Sequence, residues 1–480
     1  MRCLSARYGA VAQLGEHHVR NVGVGGSNPL CSTIPLLVVA CFLTSCLPPA
    51  ATEESNELAP AWASRVEKPN VVLIVVDTLR KDHLGCYGYD RRTSSNIDRL
   101  TDSSIVYENA FSQAPWTLPA MAALLTSRYP SELGIQGFNK RIPESEIFLP
   151  ELLAAHGYAT HAVVSHDFVG AKWGFDQGFD SFESFAGGHR TISSEKVTQA
   201  ALRIVDRFDE GPTFLFVHYF DPHFLYIEHP DHRLSDTPPD AESEWWAMTF
   251  KKLRAQARAG KLSSEQRDYL LALYDSEIAF TDQQIGRLLD QLESTDRFAD
   301  SIVIVTADHG EEFLDHGGLG HTSTTFNELI NVPLIIKWPG IAEPVRSTRY
   351  VAHVDLLPTL LDYIGIPVDH EVAVMHLRER TSDAPIFSET RRYTKVLAVI
   401  KDGVKLVYDE QRDRVQFFDL QADPEEQQAL PELATGGQMI EELNAYRRRA
   451  AQGLAGVAPE DEIEITTEEL EKLKALGYVD

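Results

Sequence analysis

Cysteine is scarce in this sequence, and the few cysteines are poorly placed for a structural role. Of the five cysteines in 480 residues, four lie within the first 46 positions and only Cys86 lies in the body of the chain. A disulfide framework or a cysteine-based zinc site needs several cysteines that the fold can bring together. Both kinds of site are therefore excluded for the body of the chain.

Positive charge is also in short supply. The 44 lysines and arginines are outnumbered by 71 aspartates and glutamates, which gives a formal net charge of −27. Nucleic acids and anionic membrane surfaces would be repelled by such a chain, so neither is an expected partner. The charge argues mildly against polyanionic polymers as substrates, although a solvated acidic surface is its simplest explanation.

The sequence lacks an apolar run long enough to span a bilayer. The stretch IPLLVVACFLTSC at 34–46 is too short, but it ends in small residues and Cys46. This pattern predicts a lipoprotein signal with Cys46 as the lipidated first residue, or otherwise an ordinary secretory signal or short anchor. In each case we expect an exported protein, periplasmic or held at the outer membrane only by its lipid anchor.

The segments on either side of this signal are not expected to belong to the fold. Residues 1–33 resemble a spurious translation upstream of the true start and are left out of the fold. Residues 47–68 are polar and rich in proline, alanine and glutamate. Such a composition predicts a linker between membrane and domain.

Strands and helices alternate along the body of the chain. The apolar runs that predict buried strands fall at 71–76, 161–165, 213–220 and 301–306. The helical patterns fall at 118–126, 195–208 and 264–293. Buried strands that alternate with helices are typical of a mostly parallel sheet covered on both faces. The expected fold class is therefore α/β, and the layered catalytic domain is predicted over residues 69–384.

Two parts of the chain depart from this alternation. Residues 230–262 show no clear period and are interpreted as an insertion, either a lid over the substrate or a packed surface excursion. From 385 to 455, apolar and polar residues alternate around the turn at Asp402-Gly403, which predicts a small antiparallel sheet followed by a helix. Residues 456–480 are predicted to form a C-terminal tail helix.

Polar side chains follow two of the predicted strands at the points where they end. Asp77 follows the first strand, and Asp308 and His309 follow the fourth. Because ligands gather beyond the carboxyl ends of parallel strands, we expect these side chains to lie together. Two carboxylates and an imidazole suit a divalent cation, and packing them without one would be costly. The sequence therefore predicts a metal site.

Thr117 stands at the start of the short helix, in the sequence APWTLPAMAALLTS. Taken alone, it is interpreted as a helix N-cap whose oxygen accepts a backbone N–H. Beside a cation held by Asp77, Asp308 and His309, the same hydroxyl would be a fourth ligand that loses its proton more easily. A free threonine hydroxyl is a poor nucleophile, and activation by a cation would enable it to attack an anionic ester.

Six segments of the chain occur in an order typical of one enzyme family. They are PNVVLIVVDTLRKDHLGCYGY, WTLPAMAALLTSRYP, HYFDPHFLY, TADHGEEFLDHGGLGH, NVPLIIKWPG and HVDLLPTLLDYIGIP. Through them the chain resembles the sulfatase family of the alkaline phosphatase superfamily, from about residue 69 to 480. The resemblance implies a mixed sheet between helices and a small C-terminal sheet subdomain. It also implies one divalent metal ion, which is zinc, manganese or calcium, and leaves open whether a second metal ion binds.

The sequence departs from sulfate-hydrolysing members of this family at the nucleophile. In those proteins a cysteine or serine, followed by proline and arginine, is converted to formylglycine. Here Thr117 occupies that place and Met121 stands where the arginine is expected. Thr78 replaces the second aspartate of the usual metal pair. Threonine cannot become formylglycine, so a different nucleophile chemistry is expected.

The remaining pattern resembles the phosphoethanolamine and glycerophosphate transferases of the same superfamily. That branch uses a metal-bound threonine, an Asp-His metal pair and further histidines. The resemblance implies that His223 and His321 hold the transferred group and assist the leaving oxygen. For His218, His316 and His353 we expect structural roles.

Two functions from different classes are left open. The first is an exported metal-dependent hydrolase or transferase that acts on phosphate or, less readily, sulfate esters of small, saccharide or lipid molecules. In it Thr117 attacks, and His223 and His321 assist. The second is a catalytically silent relative that binds a sulfated or phosphorylated glycan through an inherited pocket. A bound metal favours the first and a bare pocket the second.

Overall fold

The computed structural model describes most of the chain from residue 57 onward. The described residues are 57–185, 193–234, 239, 245, 248–367, 375–431, 436–455 and 462–475. The predicted spurious segment and lipoprotein signal, residues 1–33 and 34–46, lie outside them. Among the described residues, no helix has both the length and the apolar character needed to cross a membrane.

A sheet of eight strands forms the centre of the molecule. In chain order, the strands before residue 353 are β1 (Val71–Val76), β2 (Ile105–Phe111), β3 (Ala159–Val164), β4 (Ser181–Ser184), β5 (Thr213–Tyr219), β6 (Ile302–Ala307), β7 (Glu312–Phe313), β8 (Leu319–Gly320), β9 (Asn331–Lys337) and β10 (Val345–Ala352). The spatial order in the sheet is β10-β2-β9-β6-β1-β5-β3-β4, while β7 and β8 pair with each other. Strand β9 runs antiparallel to β2 and β6, and the other pairings are parallel. The mostly parallel sheet is therefore confirmed.

The three middle strands explain the continuous apolar runs of the sequence. Every residue of β1, β5 and β6 is buried, because helices cover both faces of the sheet. The four predicted strands correspond to β1, β3, β5 and β6, with ends that differ by no more than two residues.

Helices lie on both faces of the sheet. Up to residue 364 they are α1 (Ala59–Ala63), α2 (Ser95–Leu100), α3 (Thr117–Thr126), α4 (Pro130–Leu133), α5 (Leu149–Ala155), α6 (Ser194–Val205), α7 (Phe250–Arg258), α8 (Ser264–Glu293), α9 (Asn327–Ile330) and α10 (Leu356–Ile364). Alternate residues of β1 point to opposite faces, as strand geometry requires. Val71, Leu73 and Val75 pack into one core with α3, α5 and α10, and their neighbours pack into a second core with α2, α6 and α8.

Helix α8 begins as the sequence predicts. The Ser263 hydroxyl accepts from the Gln266 backbone N–H at 3.2 Å, and the Gln266 side chain accepts from the Ser263 N–H at 3.0 Å. This reciprocal capping box satisfies two backbone donors that the helix leaves unpaired.

Helix α7 corrects the interpretation of residues 230–262 as a stretch without period. Phe250, Leu253 and Ala257 are buried on one face of α7, at the spacing of a helix. The charged residues between them lie on the other faces, so a helical pattern was present in the sequence there.

Helix α1 corrects the extent of the linker predicted over 47–68. Leu58 and Ala61 are fully buried. The Trp62 ring lies against Trp338, with 5.3 Å between ring centroids, and its Nε1 donates to Asp362 at 2.9 Å. The free energy gained by burying a large aromatic ring exceeds the conformational entropy that a flexible linker would retain. This segment therefore packs on the body of the molecule.

A small antiparallel sheet follows the large one, as predicted. Its strands, in spatial and chain order, are β11 (Ile386–Thr390), β12 (Val396–Lys401), β13 (Val404–Asp409) and β14 (Arg414–Asp419). The turn between β12 and β13 places Asp402 at φ 51° and Gly403 at φ 75°, the left-handed conformation that a two-residue hairpin turn requires. Helices α11 (Gly436–Ala455) and α12 (Thr467–Ala475) complete the described chain.

Candidate active site

Thr117 is the first residue of α3, and its side chain is fully buried. The N-cap of the helix is Trp116, and no side-chain capping hydrogen bond is made there. The N-cap interpretation of Thr117 is therefore wrong. Its Oγ1 instead lies 3.4 Å from Nε2 of His309, at the carboxyl edge of the large sheet.

The two strand-end aspartates meet because their strands are neighbours. Strands β1 and β6 pair in parallel with Val76 opposite Ala307, so Asp77 and Asp308 leave the sheet side by side. Nε2 of His309 lies 3.7 Å from Asp77 Oδ1 and 3.5 Å from Asp308 Oδ2. The structure thus brings together the four predicted metal ligands, including Thr117.

The carboxylates of this pair are buried, and no lysine or arginine forms an ion pair with either of them among the described residues. One oxygen, Asp308 Oδ1, accepts the backbone N–H groups of Thr78 at 3.2 Å and His309 at 2.8 Å. Within the described chain, both oxygens of Asp77 and Oδ2 of Asp308 have no hydrogen-bond partner. Burial, and then the charge of Asp308, raises the pKa of Asp77 well above its usual value. A divalent cation fits this donor set and would remove the repulsion.

His218 lies in the site, which corrects its expected structural role. Its Nε2 is 4.0 Å from Asp77 Oδ2, and neither ring nitrogen has a hydrogen-bond partner among the described residues. Burial lowers its pKa to about 3, so the ring is neutral at physiological pH. Donor atoms of Asp77, His218 and Asp308 all lie within 4.8 Å of one another.

His166 was not among the predicted site residues, although it follows β3 at the same edge of the sheet. Its Nε2 lies 3.8 Å from Asp77 Oδ2, and its Nδ1 accepts the backbone N–H of Phe168 at 2.9 Å. A neutral ring that accepts at Nδ1 carries its proton on Nε2. His166 therefore presents an N–H to Asp77, which suits a hydrogen-bond donor better than a ligand of a second ion.

His223 and His321 lie beside the cluster, as expected. The His321 ring centroid is 5.0 Å from that of His223 and 4.6 Å from that of His309. Nδ1 of His223 is 2.8 Å from the Phe224 carbonyl oxygen, and Nδ1 of His321 is 2.9 Å from Oε1 of Glu311. In both rings these contacts occupy Nδ1.

Glu311 is a second residue that was not assigned a role in the predicted site, although it lies within the segment TADHGEEF. Burial raises its pKa to about 8, and the same burial lowers the pKa of His321 well below its usual value. Both shifts disfavour the charged forms, so the two groups share protons near neutral pH. The Tyr226 hydroxyl donates to the other Glu311 oxygen at 3.3 Å.

His316 and His353 have structural partners, as expected. Nδ1 of His316 is 2.9 Å from Glu328 Oε1, and its ring stacks on Phe326. Nε2 of His353 is 2.9 Å from Thr306 Oγ1, where burial lowers the histidine pKa to about 3.

Arginine reaches the site from elsewhere in the chain. Met121, at the expected arginine position, is fully buried in the apolar core. Arg392, between β11 and β12, places its guanidinium carbon 4.8 Å from the centroid of the Trp116 ring, and its charge contributes to lowering the His321 pKa. Arg254 of α7 donates to the backbone oxygen of His321 at 3.4 Å. No motif in the sequence indicated that either arginine lies near the site.

A mixed sheet between helices, with acids and histidines at its carboxyl edge and a hydroxyl at a helix N-terminus, defines an alkaline-phosphatase-like hydrolase fold. The Sulfatase family model matches residues 69–366, and the chain belongs to that family. It is a sulfatase-family hydrolase acting on ester bonds.

Several characterised proteins are similar in sequence. The Delta 4,5-hexuronate-2-O-sulfatase of Bacteroides thetaiotaomicron is 25% identical over 352 residues, which cover 67% of this chain and 73% of that protein. The human iduronate 2-sulfatase is 26% identical over 389 residues, 64% of this chain and 70% of that protein.

Solved structures show the same fold. A 2-O GAG sulfatase superposes with a TM-score of 0.66 at 21% identity, covering 82% of this chain and 94% of that one. The phosphonate monoester hydrolase of Agrobacterium radiobacter superposes with a TM-score of 0.63 at 19% identity, covering 83% and 98%. The fold is therefore shared by enzymes named for sulfur and for phosphorus esters.

Proposed function

We propose that this protein is a metal-dependent hydrolase of phosphate or sulfate esters with Thr117 as its nucleophile. The observation that carries the proposal is the position of the Thr117 hydroxyl, 3.4 Å from His309 Nε2 and beside a buried carboxylate pair. Two buried carboxylates without compensation cost free energy, and a divalent cation removes that cost. A protein that only binds its ligand would gain nothing from such an unfavourable pair of carboxylates, which is why we favour the enzyme.

The residues that would hold the ion are Asp77, Thr117, Asp308 and His309. Nδ1 of His309 lies 2.9 Å from the Gly310 carbonyl oxygen, so the ring donates there and presents a lone pair at Nε2. A mixed nitrogen and oxygen set suits zinc or manganese better than calcium. When bound, such an ion lowers the pKa of the hydroxyl and neutralises charge on the ester.

In the first half of the reaction, Oγ1 of Thr117, whose proton would pass to solvent once a cation is bound, attacks phosphorus or sulfur in line with the leaving oxygen. The bond from Oγ1 forms as the bond to the substrate alcohol breaks, and a phosphorylated or sulfated threonine results. The first turn of α3 directs backbone N–H groups and its positive dipole end toward the oxyanion.

Glu311 and His321 supply the proton movements. When the pair holds two protons, Nε2 of His321 donates one to the departing alcohol oxygen. The pair then takes a proton from the water that hydrolyses the threonine ester, and Thr117 leaves as the oxyanion that began the cycle. His223 lies beside His321 and holds the transferred group. If an alcohol replaces this water, the same steps make the site a transferase.

The substrate is proposed to be a saccharide ester. The curated relatives are named for uronate and hexosamine sulfates, and the shared fold includes phosphonate monoester hydrolases. The absence of a modifiable cysteine at Thr117 favours phosphorus, because a sulfate monoester needs stronger help for its leaving group. The export signal and the lipid anchor at Cys46 are part of the same proposal and place the enzyme outside the cytoplasm.

A substrate panel tests the proposal. Purified protein is assayed with 4-nitrophenyl phosphate, bis-4-nitrophenyl phosphate and 4-nitrophenyl sulfate, each with Zn²⁺, Mn²⁺, Ca²⁺ or Mg²⁺. We expect metal-dependent turnover of at least one ester, lost in Thr117→Ala and partly kept in Thr117→Ser. The matched control is Thr126→Ala, at the other end of α3. Full activity of Thr117→Ala, or no turnover and no bound metal, would overturn the proposal in favour of a silent binding protein.

A further inference from the structure

A cavity with a strongly basic lining opens between α7 and the C-terminal sheet. It measures about 890 Å³, and five of its eleven lining residues are cationic. These are Lys251, Arg254, Arg258, Arg412 and Lys474. None of the eleven is acidic, although acidic residues outnumber basic ones by 71 to 44 in the whole chain. This basic cavity is therefore a local reversal of the overall charge.

The basic cavity lies next to the catalytic cluster, and His321 stands between them. A neighbouring cavity of about 320 Å³ shares Arg254, Arg258, Thr394 and Arg412 with it and is also lined by His321. His321 lies next to His309 in the catalytic cluster. The two cavities therefore adjoin the catalytic cluster on its His321 side.

Arg254 stands at the junction of the two cavities and is held rigidly. Its Nη2 donates to the backbone oxygen of His321 and to the Ser323 hydroxyl. Its guanidinium carbon lies 5.2 Å from the Tyr393 ring centroid and 5.8 Å from that of Phe250. Neutral oxygens and aromatic faces orient the guanidinium without cancelling its charge, so the charge remains available to an anion.

The outer cations are anchored at the mouth. Arg412 pairs with Asp409 at 2.6 Å in the turn between β13 and β14, and Lys474 of α12 pairs with Glu471 at 3.2 Å. Arg258 is exposed at the end of α7. Carboxylates thus partly offset the charges of Arg412 and Lys474, whereas the contacts described above for Arg254 are with neutral groups.

We propose that the basic cavity is a subsite for a second anionic group of the substrate, distinct from the ester that Thr117 attacks. The ligand class is a saccharide that carries a further sulfate, phosphate or carboxylate group. This inference rests on the proposed function, since it extends the same substrate from the catalytic cluster. The net charge of −27 repels polyanions from most of the protein surface. A polyanionic substrate would therefore bind with one anionic group in the basic cavity, in the orientation that presents its ester to Thr117.

The test compares a charge-neutral variant of the basic cavity with a matched control. The variant Arg258→Gln/Arg412→Gln removes two charges that line both cavities, and Arg258→Gln alone is measured beside it because the loss of Arg412 also uncovers its partner Asp409. The control Lys252→Gln removes an exposed charge from the same helix that does not line the basic cavity. Calorimetry on metal-loaded Thr117→Ala protein measures binding of a heparin tetrasaccharide and of its desulfated counterpart.

We expect the sulfated probe to bind and the double variant to weaken it by roughly 10-fold or more, with Lys252→Gln unchanged. The desulfated probe should bind weakly to all variants. Equal binding by the double variant, or an equal loss in Lys252→Gln, would overturn the subsite.

Turnover of the small aryl esters separates this inference from the proposed function. The double variant should keep kcat/KM within about twofold of the wild type on these esters, since they cannot reach the basic cavity. If the wild type turns over no ester but the tetrasaccharide still binds through Arg258 and Arg412, the proposed function fails while the anion site stands.

Discussion

Oγ1 of Thr117 lies 3.4 Å from Nε2 of His309, although the two residues are 192 positions apart in the chain. One residue begins a short helix and the other follows a strand of the central sheet. Because Asp77 and Asp308 also reach this point, a hydroxyl, an imidazole and two carboxylates surround one small volume. The stability, metal affinity and reactivity of the protein should all depend on this arrangement.

The metal-free protein should be stabilised by removing the charge of Asp77. Burial and the charge of Asp308 raise the pKa of Asp77, so ionising it costs stability that grows as the pH rises through this raised pKa. In EDTA at pH 8, Asp77→Asn should raise the free energy of unfolding by about 0.5–2 kcal/mol. Thermal unfolding measures it, with the exposed Asp102→Asn as control.

The same variant should lose the response to metal. Added Zn²⁺ or Mn²⁺ should raise the unfolding temperature of the wild type and of Asp102→Asn but not that of Asp77→Asn. A metal-free Asp77→Asn protein that is less stable than the wild type would show that the carboxylate has a protein partner instead of a cation.

Metal affinity should rise with pH. Asp77 and Asp308 both have raised pKa values because they are buried, and each must be ionised to hold a cation. Apparent affinity should therefore increase about tenfold per pH unit for each proton displaced, up to the raised pKa values. Calorimetry in two buffers with different ionisation enthalpies counts the protons released. Affinity that is flat from pH 5.5 to 8 would contradict the assignment of these carboxylates.

The Glu311–His321 pair should matter most for poor leaving groups. Glu311→Gln keeps a hydrogen-bonding group near Nδ1 of His321 but removes the shared proton. We expect kcat on an alkyl ester to fall about 10²-fold, the size of a general-acid contribution, and kcat on a 4-nitrophenyl ester to fall much less. The ratio of the two rates measures this. An equal loss on both esters would mean that Glu311 only supports the fold of the site.

Much of the fold could be predicted because burial leaves a plain pattern in the sequence. Strand β1 lies between two layers of helices, so its six residues are all apolar and are recognised at once. Helix α1 could not be predicted in this way. Its five residues pack through Trp62 and a few small side chains, and the surrounding proline, alanine and glutamate resemble a tether.

The site was predictable where it follows from topology. Asp77 and Asp308 end neighbouring parallel strands, so their proximity follows from the sheet alone. His218 was misjudged because it lies inside β5, where a histidine is usually satisfied within the core, and only the register of the sheet turns it toward Asp77. Arg254 and Arg392 come from an insertion and a hairpin loop, and tertiary packing alone brings them to His321.

The position of a bound ion tests the central claim most directly. Crystals of the protein grown with Mn²⁺ or Zn²⁺ would be measured at the absorption edge of the metal to locate it by anomalous scattering. We predict one strong peak at about 2.0–2.2 Å from Oγ1 of Thr117 and from ligand atoms of Asp77, Asp308 and His309. A peak bound by the carboxylates but out of reach of Oγ1, or no peak at this edge of the sheet, would contradict Thr117 as a metal-activated nucleophile.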